Sequence, residues 1–317
     1  MKTPETLLEA IRIYSDPEVG HDFVRALRWP NGVACPRMGC GSADVREIRG
    51  KRPRWYCREC KREFTAKVGT IFEDSPIGFD KWLPAMWLLS SAKNGISSME
   101  LHRALGVTQK TAWFMLHRIR LAMKEGHIEQ LTGDVEADET FIGGKLRHKR
   151  RTHYHLRSGM KAVGPVGKTP VLGIIERKSS TRKPRVRAFV VPDVRKNTLV
   201  PKILENVDPN ATLFTDSLQS YRHLDKHFSA HHIVNHAIEY VRGNAHVNNM
   251  ECFWSVLKRT LGGTYIHVFP RHIDRYLDEQ IFRFNERDNT DGPRFVKAVK
   301  GADSKRLTYR DLIRKVD

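Results

Sequence analysis

Apolar positions recur at helical spacing from about residue 80 to 125, and one break divides the run. Ser97 and Glu100 stand three apart as a capping box, so a helix starts there and continues through Leu101 and Leu105 to Gly106. After a short turn Thr108 caps a second helix, in which Ala112, Met115, Leu116 and Ile119 fall at i, i+3, i+4 and i+7. Two helices joined at a glycine predict a helix-turn-helix within 78–126. From Asp134 the period changes. Val135, Ala137 and Phe141 alternate with Glu136, Asp138 and Thr140; strand-like runs follow at Val171 to Glu176 and Arg185 to Val191. A helical segment from Asn197 to Val207, a strand Ala211 to Phe214 and a helical block after Asn248 complete a mixed α/β domain over 130–290. A short helical tail, 291–317, carries no assignment, and 1–30 is a helical lead-in.

Four of the five cysteines lie close together: Cys35 and Cys40 with four residues between them, then Cys57 and Cys60 with two. Two such pairs match knuckles that hold one tetrahedral Zn²⁺ by four thiolates, and the basic, aromatic stretch Arg46 to Tyr56 has the composition of the hairpin between them. Residues 31–70 therefore read as a zinc ribbon, whose metal supplies what so small a core cannot. Two disulfides in a secreted module are the alternative. The long first spacer makes Cys40 the least regular ligand, and Cys252, inside an apolar helical pattern, is expected to be buried.

The chain has 317 residues, which at ~150 per domain suggests two domains. Its 40% hydrophobic content supports a real core. Residues 1 to 23 show no apolar leader, and the longest apolar stretch, Trp82 to Leu89, is too short for a bilayer. A cytoplasmic, nucleoid-associated protein is expected. The formal net charge of +19 points to a polyanionic partner, nucleic acid foremost. In that light Gln109, Lys110, Trp113, His117 and Arg120, opposite the apolar stripe of the second helix, are placed to meet phosphates and base edges, although a helical hairpin packed on a neighbour has the same pattern. The stretch Lys145 to Thr169 has eight Lys or Arg and no acid, and fits either a solvated loop or a DNA-facing one.

In so basic a chain, three acids stand out. Asp138 lies in the first strand of the α/β domain, Asp216 follows the strand Ala211 to Phe214, and Glu251 sits on a helix striped by Met250, Phe253, Trp254, Leu257 and Leu261. Ser255 and Lys258 share the polar side of that helix with Glu251. Acids gathered from separate elements suit Mg²⁺ or Mn²⁺, and a two-ion centre can drive in-line phosphoryl displacement. Each acid also has an ordinary explanation, as an edge-strand residue, a helix cap, or, for Asn248 with Glu251, a capping box. Five histidines, His223, His227, His231, His232 and His236, could bind a second metal, but no Cys or acid completes a recognisable spacing, so pH-dependent charge is the simpler role.

The order Asp138, Asp216, Glu251, Lys258 resembles the DDE signature of RNase H-like transposases. Together with the zinc ribbon, Gly69-Thr70-Ile71-Phe72, the helix-turn-helix, the run Val135 to Lys145 and the runs His246 to Trp254 and Leu257 to Arg259, the resemblance is to the zinc-ribbon subgroup of insertion-sequence transposases, over about residues 15 to 290. It implies that Asp138 and Asp216 bind two catalytic ions, with Glu251 as third ligand and Asn248 as the alternative. It further implies DNA contacts by Lys258 and Arg259, with His246 nearby, binding to element ends and target DNA, and at least a dimer in the working complex. Two rivals stay open: a DNA-binding regulator with a dead RNase H-like domain, and a nuclease or resolvase that cuts without joining.

Overall fold

A computed structural model describes residues 3–48, 50, 53–126, 129–143, 167–234 and 246–314. His236 and most of the basic stretch Lys145 to Thr169 lie outside the described residues. The chain forms two compact units, Met1–Glu125 with Glu286–Asp317, and Gly126–Asn285.

The first unit opens with α1 (Leu7–Tyr14) and α2 (Pro17–Arg28), capped by the Thr6 and Asp16 side chains, which accept the N–H groups of Glu9 and Glu18. A three-stranded antiparallel ribbon follows: β1 (Val45–Ile48), β2 (Arg54–Cys57) and β3 (Arg62–Phe64). Its small core holds Trp55, Phe64, Ala66, Cys35 and Cys57, with Trp29 edge-on to Trp55 at 5.5 Å. Then come α3 (Phe79–Ser91), α4 (Ser98–Leu105) and α5 (Gln109–Met123). The expected capping box of Ser97 and Glu100 is present, Gly106 ends α4 in the left-handed region at φ 61°, and Thr108 caps α5.

The second unit carries β4 (Asp134–Ile142), β5 (Thr169–Glu176), β6 (Arg185–Val190), α6 (Lys196–Asn206), β7 (Thr212–Asp216), β8 (Ala230–Val234), α7 (Asn248–Gly263) and α8 (Ile273–Asn285). The strands form one mixed sheet in the order β6-β5-β4-β7-β8: β5 is antiparallel to both of its neighbours, β4 and β6, while β7 runs parallel to β4 and β8 parallel to β7. This is an RNase H-like arrangement. Alternation along β4 explains the layers: Val135 and Ala137 join a core containing Leu199 and Ile203 of α6, whereas Ile142 joins one containing Phe253, Trp254 and Leu257 of α7 and Leu277 of α8. Strand β8 was not expected from sequence. Its Ala-His-His-Ile-Val run is weakly patterned, and it places His231 and His232 beside β7, with His232 stacked on Phe214 at 5.2 Å and His231 Nε2 2.9 Å from Thr215 Oγ1.

The chain then returns to the first unit with α9 (Asp291–Lys300) and α10 (Tyr309–Ile313). The expectation of an unassigned tail is corrected here. Phe295 of α9 is fully buried, stacked on Phe23 at 5.7 Å and packed against Tyr14 and Trp87, and Arg28 pairs with Asp303 at 2.7 Å. Helices α3 and α9 both pack on α5, which corrects a second expectation: His117 and Arg120 are buried, Arg120 to 1% exposure. Only the first turn of α5, including Gln109 and Lys110, stays exposed, and Gln109 Nε2 donates to Ser98 Oγ at 2.8 Å.

Candidate active site

The zinc-ribbon thiols come together as the spacing predicts. Cys35, Cys40, Cys57 and Cys60 offer four sulfurs within 4.8 Å of one another, Cys40 included. The pairs Cys35–Cys60 and Cys40–Cys57 are each 3.7 Å apart, too long for a disulfide near ~2.05 Å and close to the ~3.8 Å edge of a tetrahedron with Zn–S bonds of about 2.3 Å. The geometry fits a structural zinc. Cys252, expected to be buried, is exposed on α7. It precedes Phe253 and Trp254, whose buried side chains set the inward face of the helix.

The acid cluster forms where β4 and β7 run side by side. Their register pairs Ala137 with Thr215, so Asp138 and Asp216, one residue further on, sit at the same level. Asp216 Oδ1 accepts the Leu218 N–H at 3.0 Å, closing the turn that leaves β7. Asp138 Oδ2 accepts from Trp254 Nε1 at 2.9 Å, which fixes the carboxylate from the α7 side. Trp254 comes this close because Asp138 pairs across the ladder with Gly173; a Cβ at Gly173 would lie 2.4 Å from the Trp254 ring and 2.3 Å from Met250.

A third acid joins them that sequence reasoning passed over. Oxygens of Asp138, Glu139 and Asp216 all lie within 4.8 Å of one another. The β4–β7 pairing ends at Ala137, so Glu139 lies beyond it, and Glu139 Oε2 accepts from the Tyr221 hydroxyl at 2.6 Å. Burial, reinforced by Asp216 and Glu251, lifts Asp138 to about 6. Burial, reinforced by Asp216 and Asp138, lifts Glu139 to about 7, against the opposing Tyr221 hydrogen bond. Buried acids that repel one another are the donor set a divalent cation stabilises.

Glu251 is not one of this close trio, although its charge is felt at Asp138. It is exposed near the start of α7, one turn after the exposed Asn248, and Lys258 and Arg259 are exposed further along the helix. The capping box offered as the ordinary explanation of Asn248 and Glu251 does not form: Val247 is the N-cap, and no side chain caps the helix there. The start of α7 is held instead by Glu136, at 0% exposure. Its carboxylate accepts from Arg177 Nε at 2.7 Å, Asn249 Nδ2 at 2.7 Å and the Met250 N–H at 3.0 Å, with His246 Nδ1 3.3 Å away. His246, expected to assist nearby, thus sits in this buried network.

Sheet order, thiol cluster and acid cluster together define a zinc-ribbon protein with an RNase H-like acid centre. Residues 130–285 match the ISXO2-like transposase domain and residues 16–63 match the transposase zinc-ribbon domain. An uncharacterized protein in transposable element ISH50 of Halobacterium salinarum is 27% identical over 248 residues, 76% of this chain and 81% of that one. An uncharacterized transposase-like protein of Haemophilus influenzae is 33% identical over 106 residues, 33% of this chain and 85% of that one. The chain belongs to the ISXO2-like transposase family.

Proposed function

We propose that this transposase binds the inverted-repeat ends of its own mobile element as a dimer or larger assembly, hydrolyses the phosphodiester there, and joins the freed 3′-hydroxyl to target DNA. The observation that carries the reading is the meeting of Asp138, Glu139 and Asp216 oxygens within 4.8 Å just past the end of the β4–β7 pairing, in a chain of net charge +19. Asp138 and Asp216 would hold two Mg²⁺ or Mn²⁺ ions, which when bound activate the attacking oxygen and stabilise the entering and leaving oxygens of an in-line displacement. Trp254 orients Asp138, and the Leu218 N–H orients Asp216. Glu251 would be the third ligand, with Asn248 one turn earlier as the alternative, both carried by a helix whose start Glu136 holds. Lys258 and Arg259, further along α7, would contact DNA phosphates; Gln109 and Lys110 at the first turn of α5 would meet the element end.

The test is a donor plasmid carrying the element ends, incubated with protein and Mg²⁺. Asp138→Asn and Asp216→Asn should each lose nicking by at least about a thousandfold (~4 kcal/mol) while end binding persists. Cleavage retained by either variant removes the catalytic assignment. Binding without nicking by the wild type would favour the dead-domain regulator, and nicking without joined products a nuclease or resolvase. Glu251→Gln beside Asn248→Ala identifies the third ligand, because only the true one is lost along with activity.

A further inference from the structure

The C-terminal segment runs along the exposed end of α5. Residues 110, 114 and 118 of α5 lie at i, i+4 and i+8 on one stripe. Arg118 Nε donates to the Leu307 carbonyl at 3.0 Å, the Phe114 ring meets Tyr309 edge-on at 5.6 Å, and Lys110 Nζ sits 4.7 Å over the Tyr309 ring. As the C-terminal chain advances from 307 to 309, its contacts move from the middle of α5 to its first turn. Helix α10 therefore emerges beside the end of α5 that meets bases and phosphates in a helix-turn-helix. There Arg310 and Arg314, one turn apart, are both exposed. The one acid of α10, Asp311, is engaged in capping, accepting from the Thr308 hydroxyl and N–H.

We propose that α10 extends the DNA-recognition surface of the helix-turn-helix, with Arg310 and Arg314 contacting backbone phosphates that flank the groove entered by α5. The Tyr309 ring is the spacer that sets α10 against Lys110. This inference rests on the DNA-binding reading above and adds to it a surface that the helix-turn-helix pattern does not contain.

The experiment uses the zinc-loaded full chain and a short duplex of mixed sequence, with affinity followed by fluorescence anisotropy across a salt series. Each lost phosphate contact lowers the slope of log K against log salt by about 0.9, so the double variant R310A/R314A should lower it by about 1.8 relative to wild type. Both arginines are exposed, so its melting temperature should be unchanged. Lys300→Ala, the same type of charge loss at an exposed position on α9, should leave the slope alone. Tyr309→Phe should bind as wild type, and Tyr309→Ala should reproduce the loss. A wild-type slope in the folded double variant, or an equal loss per charge from Lys300→Ala, overturns the proposal while leaving the transposase reading intact. Failure of the wild type to bind any duplex overturns both.

Discussion

Asp138 and Glu139 are ordinary residue types made unusual by position. Both are raised, to about 6 and about 7, chiefly by burial, so the folded protein retains protons that the unfolded chain releases near 3.8 and 4.5. Wherever the native state binds more protons, stability falls as pH rises. The metal-free protein should therefore lose stability between about pH 4 and 7, and saturating Mn²⁺ should restore it most at the upper end of that window. Melting curves with and without Mn²⁺ check this, and Asp138→Asn should flatten the metal-free profile. The two aspartates were legible in sequence because strand ends in a basic chain carry few acids. Glu139 was not: strict alternation sends it to the other face of β4, and only the end of β7 pairing at Ala137 shows that both sides of the strand meet at this point. Arg120 misled for the opposite reason: it is buried on a helix against which α9, far along the chain, also packs.

At the scale of elements, the acid centre depends on how closely α7 approaches the sheet. Gly173 has no side chain, so Met250 and Trp254 rest directly on β5 opposite Asp138. Gly173→Ala forces a Cβ into the Trp254 ring and should cost about 1–3 kcal/mol. It should also lower Mn²⁺ affinity, because the Trp254 hydrogen bond to Asp138 is displaced; calorimetry of metal binding beside thermal melting separates the two effects. The helix was readable in sequence from the stripe Met250, Phe253, Trp254, Leu257, Leu261. Its start was not, because the group that satisfies the Met250 N–H belongs to Glu136 on β4, 114 residues away. A local capping rule sees Asn248 and Glu251 and cannot see a buried carboxylate on another element. The ladder likewise supplies β8, whose membership rests on pairing with β7 rather than on any pattern of its own.

At the scale of the molecule, the two units differ in what holds them. The ribbon has only a handful of buried side chains, and zinc contributes roughly 10–16 kcal/mol of apparent binding free energy to folds of this kind. Chelating the zinc should unfold the ribbon, shift the emission of Trp29 and Trp55, and weaken duplex binding, while the far-UV signal of the α/β unit stays. A loss of the whole far-UV signal on chelation would contradict that division. Domain order in the sequence suggested recognition first, chemistry second and a spare tail. The structure instead folds 286–314 back into the first unit, where Phe295 completes the core of Tyr14, Phe23 and Trp87. No periodicity within the tail could reveal that, because its partners lie at the opposite end of the chain.

That split has a consequence for synthesis and for damaged copies. The ribosome makes the whole α/β unit before it makes Phe295, so the nascent chain acquires the half that holds the acid cluster before the half proposed to recognise DNA is closed. A premature stop anywhere between β4 and α8 removes α9 and α10 as well as the acids downstream of it. Truncated products of decayed element copies would lack the buried face that closes their N-terminal unit, and would be poor competitors for the ends that an intact copy is proposed to bind.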